Sequence, residues 1–399
     1  MRRELMLLAA ILLVLPAAGV AQQSWPTRQW PTASPSDVGL NRTVLDSIDA
    51  EVKTGRYGYV DRILVIRKGR LAYDRRYRYN YDSIYADSAR VPTALSSHDL
   101  AGPYNYFSGW WHPYYRRGDL HTLQSVTKTV TSIIIGTAVT RNEFPSLDTP
   151  VLSFFDTTTV ANLDERKRRM TVRHLLTMTA GLDWDEAKSY GDTTNTAIQL
   201  ESSYDWIDFT IDRPMSEDPG TRFNYNSGAS ELLAHVFRRA TGSDIEEYAV
   251  RHLFAPLGIT DWFWKRTPAG LPDTEGGLYL RSEDLAKLWY LFLRDGMWEG
   301  KPVVSREWVR ASLSPAVEVG RRALGSTHYG YKWWLYPNPI DSARVIWAGS
   351  GFGGQWPIVV PEDDLVIVVN QWNIIPGRPS LPLRPTLTRI LNAVTDRRR

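Results

Sequence analysis

The sequence predicts a mixed α/β (α+β) fold, an antiparallel sheet flanked by helices with an all-helical portion inserted between its two ends. Three observations carry this. Two apolar runs around Lys68-Gly69 make a hairpin near the start, the middle third repeats apolar residues at helical spacing, and strand-like runs return from Tyr329 onward. At 399 residues, 43% apolar and 23% charged, the chain can bury a large core. A net charge of +3 gives no electrostatic case for a nucleic-acid partner.

In chain order, Met1 to Ala21 has a basic start, the apolar run Leu5–Pro16 and small residues at Gly19 and Ala21. That is the layout of a cleavable secretory signal, so a periplasmic or secreted protein is expected. With no cysteine in the chain, disulfides, thiol-ligated metal and a lipidated cysteine are excluded. No later stretch is long enough to span a bilayer, so no stable membrane anchor is expected once the leader is removed. Gln22 to Val38, rich in Pro, Ser, Thr and Gln, reads as an extended linker ahead of one folded unit over 39–399. Within that unit the sheet portion is expected over 39–122 and 270–399, and the helical portion over 123–269.

Leu45, Ile48 and Val52 followed by Gly55 predict a helix over Asn41–Thr54. The hairpin joins Arg62–Arg67 to Arg70–Tyr77. From Arg78 to Gly118 periodicity is lost in a segment rich in tyrosine and tryptophan, which reads as a long loop over the entrance to a site. Helices are expected around Val126–Ala138, Thr171–Met178, Ser202–Ile211 and Glu231–Arg239. Strands are expected at Tyr329–Leu335, Val345–Ala348, Trp356–Val360 and Leu365–Val369, and a last helix near Pro385.

The chemical clue lies in His121–Val139, HTLQSVTKTVTSIIIGTAV, where Ser125 and Lys128 stand three residues apart at a helix start. Positions i and i+3 share a helix face, so the Ser125 hydroxyl and the Lys128 amine can meet as nucleophile and base. Burial beside an apolar face is expected to lower the Lys128 pKa and free its amine near neutral pH. Of nine lysines only Lys128 has a serine three residues before it. A second proton-transfer group is offered by Tyr225 in PGTRFNYNSG, a turn before an amphipathic helix. A glycine-rich strand end, Gly349-Ser350-Gly351-Phe352-Gly353-Gly354-Gln355, offers backbone N–H groups to an oxyanion. His174 reads as a structural helix residue. Asp183, Trp184 and Asp185 read equally as cap or cleft residues. The seven histidines show no ligand spacing such as His-Glu-x-x-His, so neither metal nor cofactor is expected.

These three elements, in this order, resemble the penicillin-recognising serine hydrolases. Within them the chain is most similar to the class C β-lactamase-like branch of esterases, D-amino acid peptidases and aminohexanoate-oligomer hydrolases. RHLLTMTAGLDWDE, LFAPLGITDWFW and GSGFGGQWPIVVPEDDLVIVV extend the resemblance over nearly the whole chain after the leader. It implies the β-lactamase/transpeptidase-like fold and cleavage of a small-molecule ester or amide through an acyl-enzyme on Ser125. Lys128 would be the base partner and Tyr225 a phenolic relay kept partly ionised by Lys128. The backbone N–H groups of Ser125 and Phe352 would form the oxyanion hole. Ser227, Gly349, Ser350, Gly351 and Gln355 are the expected substrate contacts. Two departures bear on substrate: Ser227 stands where the family has asparagine, and Gly349 aligns with a lysine or histidine that holds a substrate carboxylate. Arg321 or Arg322 could substitute but cannot be placed from the sequence, so substrates without an obligatory carboxylate are expected. A non-catalytic penicillin-binding or cell-wall-sensing protein, and a true β-lactamase or D-Ala peptidase, are the rival readings. An α/β-hydrolase is disfavoured because no Gly-x-Ser-x-Gly elbow occurs.

Overall fold

The structure is a computed structural model that describes residues 25–96, 100–322 and 324–397. The expected leader, Met1 to Ala21, lies outside the described residues. Helix α1 (Arg42–Lys53) starts at Asn41, whose side chain accepts from the Thr43 and Val44 N–H groups, and buries Leu45, Ile48 and Val52. The expected hairpin is β1 (Val60–Arg67) and β2 (Arg70–Arg76), turning through Lys68 and Gly69, both at positive φ.

Helix α2 (Val126–Thr140) is buried on every side from Val126 to Ala138, as its nearly unbroken apolar run requires. It runs through the interior beside α3 (Gly228–Thr241), which ends on Gly242 in the left-handed conformation. Helix α4 (Ser282–Leu293) was not foreseen. It buries every residue from Asp284 to Phe292 and packs against the sheet.

Strands β3 (Val317–Arg322), β4 (Gly325–Tyr329), β5 (Trp334–Asn338), β6 (Asp341–Ala348), β7 (Trp356–Val360) and β8 (Leu365–Gln371) complete the sheet. Its eight strands run antiparallel in the order β2-β1-β8-β7-β6-β5-β4-β3, so the two ends of the chain meet where β1 pairs β8. The expected strand Tyr329–Leu335 is broken by a turn in which the Gly330 N–H donates to the Trp333 carbonyl (2.9 Å). The strands β3 and β4 were also missed, because their alternation is weak.

The sheet separates two apolar layers. On β1, Leu64 and Ile66 face the helical side with α2 and α4, while Ile63 and Val65 face α1 and the closing helix α5 (Leu383–Asn392). A strand buried on both faces reads as a continuous apolar run. Among the described residues no helix is long and apolar enough to cross a membrane.

The linker expectation needs correction from Trp25 onward. Thr32 bridges to Leu71, and Trp30, 5% exposed, sits in the core against Tyr290 (centroids 5.2 Å) while its Nε1–H donates to the Glu283 carbonyl (2.9 Å). Proline and serine content suggested a spacer, yet two tryptophans make it a strap. Trp30→Ala should therefore lower the unfolding free energy by about 3 to 5 kcal/mol, read by chemical denaturation. A change below about 0.5 kcal/mol would mean that the strap is not part of the core.

Candidate active site

Ser125 is the residue before the first turn of α2. Its backbone is already helical, and its side chain caps nothing. The hydroxyl is therefore left for the cleft. One turn on, Lys128 is 1% exposed, and its Nζ donates to Ser125 Oγ (3.0 Å), to the Glu275 backbone carbonyl (2.7 Å) and to Glu275 Oε2 (3.0 Å). Tyr225 lies across from them with its ring 5.2 Å from Lys128 Nζ, stacked on Trp334 with centroids 5.9 Å apart. The Asn224 N–H on the Met178 carbonyl (2.8 Å) and Asn226 Oδ1 accepting from Ala229 N–H (2.9 Å) fix that turn.

The electrostatics overturn two expectations. Burial alone would push the Lys128 pKa down, but the charge that Tyr225 takes on when it ionises, together with Glu275 and Glu186, outweighs it and holds the pKa above the ordinary lysine value. Resting Lys128 is thus an ammonium, not a free amine. Burial raises the Tyr225 pKa despite opposing pulls from Lys128 and from a hydrogen bond with Ser125, and Glu186 adds to the rise. Resting Tyr225 is thus a neutral phenol, not partly ionised. The expectation failed because Glu275 and Glu186, both distant from Lys128 in sequence, were not recognised as its neighbours.

The glycine-rich strand end closes the other wall. A Cβ on Gly351 would stand 2.5 Å from the Leu123 carbonyl oxygen, so only glycine lets this loop approach the residues before Ser125. The Gly351 and Gln355 backbones pair with each other (3.0 and 3.1 Å). Among the described residues, neither the Ser125 nor the Phe352 N–H has a protein acceptor. Ser125, Tyr225, Ser350, Gly351 and Phe352 line one cleft of about 600 Å³, together with Glu186, Tyr190, Arg222, Phe223, Trp334, Tyr336 and Arg322.

Three expected substrate contacts lie elsewhere. Ser227 is fully buried, and its N–H and Oγ–H both donate to Glu186 (2.8 and 2.7 Å). Gln355 is buried behind the loop, where its Nε2 donates to the Gln371 carbonyl (2.5 Å) and its Oε1 accepts from Asn370 (2.9 Å). Gly349 faces the interior: a Cβ there would stand 2.8 Å from Trp289 and 3.2 Å from Val126, so no cation could project from it into the cleft. Its lack of charge therefore carries no information about substrate. The cleft has its own cations, Arg322 on β3 and Arg222, the latter paired with Glu217 (2.6 Å).

Glu186 was missed, although it ends a quoted motif. Trp184 Nε1–H and Tyr190 O–H (each 2.8 Å) join the two Ser227 donors on its carboxylate. The aromatic segment 78–118 supports the cleft rather than covering it: Tyr106 packs edge-on to Phe352 (6.3 Å), and among the described residues none of 78–118 lines the cleft. His174 is structural, accepting from the Thr171 N–H through Nδ1 (3.1 Å). Among the described residues no cluster of three or more His, Asp or Glu could hold a metal ion.

The helix–sheet architecture and this cleft define a β-lactamase-fold hydrolase. The chain belongs to the Beta-lactamase family, whose profile matches residues 52–379. It is 25% identical over 281 residues to the 6-aminohexanoate-dimer hydrolase of Paenarthrobacter ureafaciens, covering 65% of this chain and 69% of that protein. It is 35% identical over 117 residues to the monacolin J acid methylbutanoyltransferase of Aspergillus terreus, covering 29% of this chain and only 28% of that relative's length. Its fold is similar to that of EstCE1, a hydrolase with promiscuous acyltransferase activity, at a TM-score of 0.64 and 16% identity over 89% of this chain and all (100%) of that one.

Ser227→Ala removes one of the four donors on Glu186 and leaves the cleft lining intact. It should cost about 1 to 3 kcal/mol of unfolding free energy by chemical denaturation. No loss of stability together with a raised KM would return Ser227 to the substrate side.

Proposed function

We propose that the protein is an exported serine hydrolase that cleaves small-molecule esters or amides through an acyl-enzyme on Ser125. The observation that carries the reading is the 3.0 Å contact of Lys128 Nζ with Ser125 Oγ, with Tyr225 beside it in the same cleft. Ser125 Oγ attacks the substrate carbonyl carbon as its proton passes to the Tyr225–Lys128 pair. The developing oxyanion is received by the Ser125 and Phe352 N–H groups. The tetrahedral intermediate collapses, the leaving group departs with a proton returned from the pair, and water repeats the cycle on the acyl-enzyme. The hydrolase and acyltransferase names of the relatives both fit an acyl group held by the enzyme. Export rests on the composition of Met1 to Ala21.

A fluorophosphonate probe should label the protein, and Ser125→Ala should abolish labelling. Full labelling of the alanine variant would exclude Ser125 as the nucleophile. A short p-nitrophenyl ester should turn over well past one equivalent, and faster than a linear amide or a cephalosporin, because a phenolate leaves with little protonation. A single burst would favour a binder or sensor. Cephalosporin turnover above the ester rate would favour a β-lactamase, with Arg322 or Arg222 holding the carboxylate.

The resting pair carries one proton too many for attack, since Lys128 is charged and Tyr225 neutral. Both pKa values are raised, so the rate should climb tenfold per pH unit from neutrality into the alkaline range and still be rising at about pH 9. A flat profile over that span would contradict the assigned protonation states.

A further inference from the structure

Lys128 has three acceptors, of which two belong to one residue. The Glu275 carbonyl and the Glu275 carboxylate can only accept, so two Nζ protons are committed there in every protonation state. The third direction points at Ser125 Oγ (3.0 Å). As an ammonium, Lys128 donates along it. As an amine, it presents its lone pair along the same line without any rotation.

Behind Glu275 is a second buried acid. Glu201 hydrogen-bonds Glu275, and the Tyr106 hydroxyl donates to Glu201 Oε1 (2.6 Å). Two adjoining buried carboxyls share one proton. Glu275 is the ionised member, held down by Lys128, by the Glu201 hydrogen bond and by Lys265 against the cost of burial. Glu201 is the neutral member, raised by burial and by Glu275. The other charged and titratable groups facing Lys128 are Tyr225, Glu186, Asp273 and Lys332, and Glu275 also faces Lys265 and Glu231, whose Oε1 accepts from the Glu275 N–H (2.8 Å). Lys332 is buried against Met178 Sδ (3.3 Å) and driven towards its neutral form.

We propose that Glu275 is a positioning residue of the acyl-transfer site, aiming the free valence of Lys128 at Ser125 and setting, as the one ionised acid of a carboxyl pair with Glu201, the pH at which Lys128 and Tyr225 release their proton. The inference rests on the proposed Ser125 chemistry. Glu275 touches no cleft surface and acts only through Lys128. Glu201 supplies a neutral donor that keeps the charge on Glu275.

The test is the pH profile of kcat/KM with a short p-nitrophenyl ester. Glu275→Gln keeps the shape but removes the charge, so the acidic limb should move down by about 1 to 3 pH units. Glu201→Gln exchanges a neutral acid for a neutral amide, and its limb should stay in the wild-type position. Glu275→Asp keeps the charge and shortens the reach, so kcat should fall at least tenfold with the limb unmoved. This last variant decides the matter if Glu275→Gln does not fold. A Glu275→Gln limb at the wild-type pH, or a Glu275→Asp kcat equal to wild type, overturns the inference. Ser125→Ala with wild-type turnover would instead remove the reading beneath it.

Discussion

The site depends on a buried ammonium. Lys128 is almost completely out of water, and an unpaired charge in that position would cost several kcal/mol. Glu275 makes the burial tolerable by supplying two acceptors, while Glu186 adds negative potential on the cleft side. The arrangement also constrains the chain: Glu275 comes from the segment before α4, Tyr225 from the turn before α3, and Lys128 from α2. Three parts of the helical layer must therefore dock together before the charge is satisfied. Removal of one partner of such a pair is more damaging than replacement of both.

The sheet does the complementary work. Its interior strand β6 delivers the loop after it to the start of α2, and Gly351 permits the close approach. The nucleophile thus sits at a helix start facing a strand end, with uncommitted N–H groups from both. Gln355 and Asn370 brace that loop from behind, which keeps the Phe352 N–H fixed while the cleft side stays open to substrate.

Much of this was legible in the sequence. The hairpin, the central helix and the two C-terminal strands follow from periodicity and turn chemistry, and Ser125, Lys128 and Tyr225 from spacing and order. What could not be read was the direction in which side chains point. Ser227, Gly349 and Gln355 lie within the right motifs but face Glu186, Trp289 and Gln371 instead of the cleft. Glu275 and Glu186 were invisible because a carboxylate in a loop carries no pattern until the fold sets it beside a cation. The same blindness reversed the expected charge of Lys128: apolar neighbours are visible along a helix, and distant acids are not. The strap at Trp30 was obscured by its composition.

The central claim is that an acyl group resides on Ser125. Intact-protein mass spectrometry after mixing with a slowly released ester, followed by peptide mapping, tests it most directly. The account predicts one added acyl mass per chain, located on the peptide that contains Ser125. An adduct on any other peptide, or sustained turnover in which no adduct forms even at the earliest mixing times, would contradict it.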